Sequence, residues 1–175
     1  TSITKQLRAK LPEVNFDASG LAPMSKNRNN IWYKLSRLFL TQPKPKIYSL
    51  RYKWCSEVIE NFKEHTNTDF SEHYQTERNV LKLINSITSD ETEGIDYLND
   101  CFDQFLEAVG IDQTIYAQLL INRKTFFDVI KSRLEDPTFQ VPSDIASFMS
   151  FYREMSGVVI NTCVGVKGEE FETVI

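Results

Sequence analysis

Only three cysteines and two histidines occur in the 175 residues, and their spacing excludes the commonest uses of such side chains. Cys55, Cys101 and Cys163 are too few for a disulfide framework and too far apart for a zinc knuckle. They are expected to be reduced and structural. His65 and His73 lie near Asp69 and Glu72, but the spacing fits no metal-ligand pattern, and surface histidines are expected instead. No metal site is expected. Neither histidine has an evident nucleophile to serve, so no Ser-His-Asp or Cys-His arrangement is suggested. Six glycines and six prolines argue against a fibrous repeat, and neither an internal repeat nor a low-complexity tract is found. Long apolar runs are absent: the longest fall far short of the roughly 20 residues of a membrane-spanning helix. The N-terminus has no hydrophobic signal core. No membrane partner is expected, and the cytoplasm is the default compartment.

Acidic residues are missing from one long stretch. Between Ala18 and Ser56 there are eight basic side chains and no acidic one, whereas residues 57 to 112 carry fourteen acidic and three basic side chains. The net charge of −4 therefore hides a strong asymmetry, which predicts one basic and one acidic face. The basic segment holds Lys44, Lys46, Arg51 and Lys53 interleaved with Trp32, Tyr33, Tyr48, Tyr52 and Trp54. Cations alternating with aromatics suit a phosphate backbone with stacked bases, and these four cations are candidate DNA contacts. The bland alternative makes the tryptophans core residues and the lysines a solvated outer face.

What is present is enough to fold. Hydrophobic residues make up 41% of the chain and charged residues 25%, a balance that predicts a real core in a mostly helical, soluble body. Ile3, Leu7 and Leu11 have the spacing of a short helix ended by Pro12, and residues 14 to 16 suggest a short strand. Ile31, Leu35, Leu38 and Phe39 predict a helix capped by Asn29 or Asn30 and stopped by Pro43 and Pro45. Ile47, Leu50, Trp54, Val58 and Phe62 trace the stripe of a longer helix. Asp69 and Glu72 have capping-box spacing for the next, with Val80, Leu83, Ile84 and Ile87 on its face. Ile95, Leu98, Phe102, Phe105, Leu106 and Val109 give the clearest amphipathic pattern, ended by Gly110. Two shorter patterns fill 113 to 134, and Pro142-Ser143 opens a last helix with Ile145, Phe148, Met149 and Tyr152.

After Ser156-Gly157 the character changes. Residues 158 to 164, VVINTCV, are rich in β-branched side chains without helical period and read as a buried strand, and FETVI reads as a second. Between them stands a small-residue turn followed by Lys167, Gly168, Glu169 and Glu170. Strand ends of open α/β sheets collect ligands: a glycine permits close approach, a carboxylate can accept both hydrogen bonds of a ribose diol, and a lysine supplies a point charge. A charged hairpin turn between two structural strands accounts for the same residues without any ligand.

The segment NTCVGVKGEEFETVI resembles motif V of the superfamily 1 helicases of the UvrD and Rep type. In that family the motif runs Thr, an apolar residue, His, two small residues, then Lys-Gly-Leu-Glu-Phe. Thr162, Gly165, Val166, Lys167, Gly168, Glu170 and Phe171 match in order; Val164 stands in place of the histidine and Glu169 in place of the leucine. The resemblance implies that Lys167, Gly168 and Glu170 couple to nucleotide, Glu170 facing its sugar, and that Thr162 and Val164 lie at the position beside single-stranded DNA. It also implies an order of parts: residues 1–20 the edge of a second RecA-like lobe, 21–156 an inserted helical accessory subdomain, and 157–175 the return to that lobe. The expected fold class is mainly α with a small α/β portion. The chain would be a fragment of an ATP-dependent DNA helicase that uses ATP and Mg²⁺. No G-x-x-x-x-G-K-[ST] loop occurs in it, so the fragment alone should be catalytically silent. The expected partner is DNA at a single-stranded to duplex junction. The alternatives are a non-enzymatic helical module that docks a protein on the acidic 57–112 face, for instance through Asp96, Asp100 and Asp103, and a DNA-binding adaptor without a motor.

Overall fold

The structure is a computed structural model that describes Lys10, Leu11, Met24 and residues 29–137 and 142–150. The six α-helices of the described residues all belong to one compact unit, Pro23–Arg153. The expected strands at 14–16, 158–164 and 171–175, and the two RecA-like edges assigned to 1–20 and 157–175, lie outside the described residues save for Lys10 and Leu11. Six α-helices occur among the described residues and no strand does, so the body is mainly α.

The first, α1 (Ile31–Leu40), starts where Asn30 accepts hydrogen bonds from the backbone of Trp32 at 2.9 Å and Tyr33 at 3.3 Å, the N-cap that its sequence anticipates. Ile31, Leu35, Leu38 and Phe39 are buried as their spacing predicts. So are Trp32, Ser36 and Leu40, because α1 is enclosed: α2 (Tyr48–Thr66), α3 (Glu77–Ser86), α4 (Gly94–Val109) and α5 (Ala117–Glu135) all pack against it. A helix covered on most sides must be apolar on most sides. Its one buried hydroxyl, on Ser36, donates to the carbonyl of Tyr33 at 2.8 Å.

In α2 the buried stripe differs from the expected one. Val58 and Phe62 are buried, but Leu50 is 44% exposed, and the inner positions are Arg51, Cys55, Val58, Phe62 and Thr66. The helix is turned by about one residue so that Arg51 reaches the interior. It ends at Asn67, in the left-handed conformation at φ 51°, which asparagine tolerates better than most residues. The cap of α3 is Thr76, accepting from the Asn79 backbone; Asp69 and Glu72 do not form the expected capping box. The buried face of α3 is Val80, Leu81 and Ile84.

α4 ends as predicted, with Gly110 at φ 77°. The Ile111 N–H donates to the Leu106 carbonyl at 3.0 Å and the Ser71 N–H to the Val109 carbonyl at 2.9 Å, satisfying carbonyls that the helix itself leaves unpaired. The two short helices expected between 113 and 134 are one short 3-10 turn, Gln113–Ile115, and one long helix, α5. The last, α6 (Ile145–Ser150), is capped by Asp144, which accepts from the Ser147 backbone at 2.9 Å. The Ser147 hydroxyl donates to the same carboxyl at 2.7 Å, and this bond with the backbone one holds the Asp144 carboxyl below the usual carboxylate range.

The core is aromatic. Trp32 lies 5.9 Å from Phe62 and 5.0 Å from Phe102 between ring centroids, and its indole N–H donates to the Leu119 carbonyl at 3.0 Å. Phe105 meets Phe39, Phe62 and Phe70. Burying each such ring contributes on the order of 3 kcal/mol.

α6 is tied to the start of α4 rather than to the centre. The Gly94 N–H donates to Ser143 O at 2.7 Å and the Ile145 N–H to Thr92 O at 2.9 Å, an isolated bridge pairing Glu93 with Asp144. Phe148, fully buried, then lies on Gly94, where an added Cβ would stand 2.3 Å from its ring. Gly94→Ala is expected to cost about 1–3 kcal/mol, the usual penalty of overpacking, read as a lower urea midpoint. Combined with Phe148→Ala, which opens the space, it should cost clearly less than the two single losses added together. Strict additivity would refute the contact.

Candidate nucleic-acid interface

Of the eight cations between Ala18 and Ser56, Lys26 and Arg28 lie outside the described residues. The other six fall into two groups. Three are engaged within the fold. Lys34 donates to the Asn61 side chain at 3.0 Å. Arg37 pairs with Glu57 at 3.2 Å and lies over the Trp54 ring at 4.7 Å. Arg51 is 3% exposed, donating to the carbonyls of Leu38 at 2.8 Å and Thr41, and to the Asn85 side chain at 2.7 Å. These carbonyls belong to the end of α1, where unpaired acceptors and the negative end of the helix dipole favour a cation. Burial lowers the Arg51 pKa from its ordinary value, against a smaller opposing effect of Cys55.

Arg51 was expected to contact DNA with the lysines; the structure places it inside instead. An isolated cation is normally costly to bury, and here the helix-end carbonyls compensate it.

Lys44, Lys46 and Lys53 remain exposed, with no ion-pair partner among the described residues. Lys44 and Lys46 sit at the turn between α1 and α2, where Pro43 and Pro45 break the chain and a 3-10 turn, Pro45–Ile47, leads into α2, whereas Lys53 lies within α2, two residues on from Arg51 and so on the helix's other side. Tyr48 is 56% exposed and Tyr52 39%. Their rings lie 6.3 Å apart between centroids. Trp32 by contrast is fully buried, so for this tryptophan the core reading of the aromatic set is the correct one.

A groove of about 520 Å³ opens at this turn. The turn contributes Pro43, Lys44 and Pro45, α2 contributes Tyr48 and Arg51, and α3 contributes Leu81 and Asn85. The prolines read in sequence only as a helix stop, and nothing in the local pattern brings Leu81 and Asn85 to them. The distant signal was Arg51, whose burial draws α3 up through Asn85.

Beside the groove, Glu77 accepts from the Tyr52 hydroxyl at 3.1 Å and the Ser56 hydroxyl at 3.2 Å. Its own backbone N–H, together with these hydroxyls, holds the Glu77 carboxyl below its usual range. The carboxylate raises the Tyr52 phenol in turn.

On the acidic 57–112 face the three aspartates have different roles. Asp96 is exposed. Asp100 is held below its usual pKa by hydrogen bonds from Ser89 and Gln104. Asp103 pairs with Arg123 at 2.5 Å. Arg123, passed over in the sequence reading, also donates to the Asn99 carbonyl at 3.2 Å and lies over the Trp32 ring at 5.3 Å. His65 bridges two helices: Nδ1 meets the Asn61 carbonyl at 2.7 Å, so it carries the proton, and Nε2 accepts from Asn122 at 3.3 Å. Among the described residues no group of three or more His, Cys, Asp or Glu side chains is placed to hold a metal ion. No helix there is long and apolar enough to cross a membrane.

Thr162, Val164, Lys167, Gly168 and Glu170 all lie outside the described residues. Compared with protein-family models, curated proteins and solved structures, the chain matches none of them.

Arg51→Met should lower stability by about 1.5–3 kcal/mol, the loss of hydrogen bonds to a charged group. Lys44→Gln, Lys46→Gln and Lys53→Gln together should stay within about 0.5 kcal/mol per site in the same denaturation experiment. Burial pushes the thiol of Cys55 up to about 12 and that of Cys101 to about 11. At pH 8 both are thiols rather than thiolates. Peptide mapping after iodoacetamide treatment should therefore find both unmodified in the native chain and modified once it is unfolded.

Proposed function

We propose that this chain is part of a superfamily 1 ATP-dependent DNA helicase of the UvrD and Rep type. It would comprise the helical accessory subdomain and the segment that joins nucleotide state to movement on DNA. The observation that carries the reading is the ordered set Thr162, Gly165, Val166, Lys167, Gly168, Glu170 and Phe171. Its supporting circumstance is a mainly helical unit, Pro23–Arg153, placed just ahead of that set in the chain.

Each residue's role follows from its chemistry. Glu170 can accept from both hydroxyls of a ribose, and Lys167 can balance a phosphate or a carboxylate across the nucleotide cleft. Hydrolysis itself needs a phosphate-cradling loop and Mg²⁺ held elsewhere in the parent protein. The exposed lysines at the α1–α2 turn would meanwhile hold DNA through its backbone, a sequence-independent contact that falls with salt. The proposed compartment is the cytoplasm.

The parent protein should hydrolyse ATP in the presence of DNA. Glu170→Gln should raise KM for ATP while leaving DNA affinity unchanged, since it touches only the sugar. Equal ATP turnover with and without DNA, or a parent gene with no phosphate-binding loop ahead of Thr1, would end the helicase reading. In the 175-residue chain, neutralising Lys44, Lys46 and Lys53 to Gln should weaken DNA binding. It should also reduce the slope of log affinity against log salt by about 2, from roughly 0.7 per phosphate contact on a single strand. An unchanged slope would move the DNA contact elsewhere.

A further inference from the structure

We infer that the groove at the α1–α2 turn seats one unstacked base of a single-stranded nucleic acid, which makes this surface selective for single strands over duplex. The inference rests on the reading that the exposed lysines hold DNA, and it adds which form of DNA they hold.

The groove is open and mostly apolar, with the volume of a small-ligand pocket. Its volume of about 520 Å³ falls within the roughly 300–1,000 Å³ of such pockets, which are mostly apolar with a few placed polar groups. Here the apolar surfaces are Pro43, Pro45, Leu81 and the ring of Tyr48, more than half exposed. A phenol ring left this open is a platform on which any base can stack, because every base has a π-face. Its hydroxyl has no hydrogen-bond partner among the described residues, and its one aromatic neighbour among them is Tyr52, 6.3 Å away between centroids.

Polar groups complete the seat. The Asn85 side-chain oxygen accepts from Arg51, which turns its NH₂ group into a donor with no partner among the described residues. That donor suits the ring nitrogens and carbonyl oxygens of a base. Lys44 lines the groove itself, and Lys46 is exposed two residues on, at the same turn, cations for the phosphates that flank the seated nucleotide.

Charge selects the occupant. No carboxylate lines the groove, and Glu77 beside it is already engaged by Tyr52 and Ser56. A polyanion with flat apolar units matches lysines around an aromatic groove. A stacked duplex presents phosphates to the lysines but keeps its bases out of reach, so only a single strand satisfies both features.

The test uses the whole 175-residue chain and fluorescence anisotropy with labelled oligodeoxythymidylate and a duplex of equal length. The expected result is tighter binding of the single strand. Tyr48→Ala should weaken single-strand binding by roughly 5- to 100-fold, the range found when a stacking aromatic is removed, with little effect on the duplex. Tyr48→Phe should bind as the parent does. Because Tyr48 is exposed, both variants should melt as the parent does, which a thermal scan verifies. Equal affinity for both forms, with Tyr48→Ala silent and the lysine variants weak, would leave the DNA contact standing and overturn the base seat. Competition by polyglutamate as effective as by oligonucleotide would overturn it in favour of an acidic protein partner. Failure to bind any polynucleotide would overturn it together with the lysine contact, while ATP turnover by the parent would still test the helicase reading separately.

Discussion

Trp32 has to satisfy two demands at once, and the packing of four helices follows from how it does so. Its ring is fully buried, so it must be covered by apolar surface, yet its indole N–H must find an acceptor there. The acceptor is the Leu119 carbonyl in the first turn of α5. That bond fixes where α5 begins relative to α1. Phe62 from α2 and Phe102 from α4 then cover the ring, and Arg123 closes it with a cation over the indole face. Asn30 strengthens the same junction by capping α1 through its oxygen and donating its amide to the Asn122 carbonyl of α5 at 3.0 Å. The start of α1 is therefore joined to α5 by two directed bonds. Apolar contacts alone would permit sliding along the helix, whereas directed bonds set the register.

The opposite end of α1 is held by a different means. Helix ends leave carbonyls unpaired, and burying them without partners would cost more than the apolar contacts nearby return. Arg51 resolves this by donating to Leu38 and Thr41 and reaching Asn85. One guanidinium thereby joins α1, α2 and α3, using the fork geometry that lysine lacks. The groove is a consequence of that junction: the chain leaves α1 at Thr41, the prolines force it outwards, and α2 returns with Arg51 beneath and Tyr48 above.

Arg51 also marks a limit to how far the structure was legible in the sequence. α1 and α4 were, because their apolar spacing, Asn30 cap and Gly110 stop all point to the same answer. The buried face of α2 was not, since a periodicity argument counts Leu50 and Trp54 as inward and Arg51 as outward. Only a tertiary partner, the end of another helix, reverses that assignment. Thr76 was passed over as a cap in favour of Asp69 and Glu72, which share the right spacing with one another but precede a 3-10 turn, Glu72–Tyr74, not α3. The division of α5 into two shorter helices has a similar cause: Leu120 and Ile121 are 41% and 56% exposed, so apolar residues on its outer side blurred the period. At the candidate site, the lysines and tyrosines were visible as a composition, but the groove between them depends on α3, about thirty residues further along.

Burial of Arg51, and the engagement of Lys34 with Asn61 and of Arg37 with Glu57, change what the charge asymmetry means. Counted along the chain, the segment from Ala18 to Ser56 is a strongly basic block. Among its described cations, only Lys44, Lys46 and Lys53 are left without a side-chain ion-pair or hydrogen-bond partner, the first two at the turn and the third on α2. The acids behave otherwise: Glu60, Glu64, Asp69, Glu72, Asp96 and Glu107 are all exposed. A polyanion approaching such a surface is repelled where these carboxylates lie and attracted at the turn. The repulsion does not strengthen the contact, but it suppresses other docking positions and so raises the fraction of encounters that reach the turn. A small number of lysines can then suffice for a defined contact on a chain whose net charge is −4, because the acidic surface removes the alternatives that a uniformly basic protein would offer.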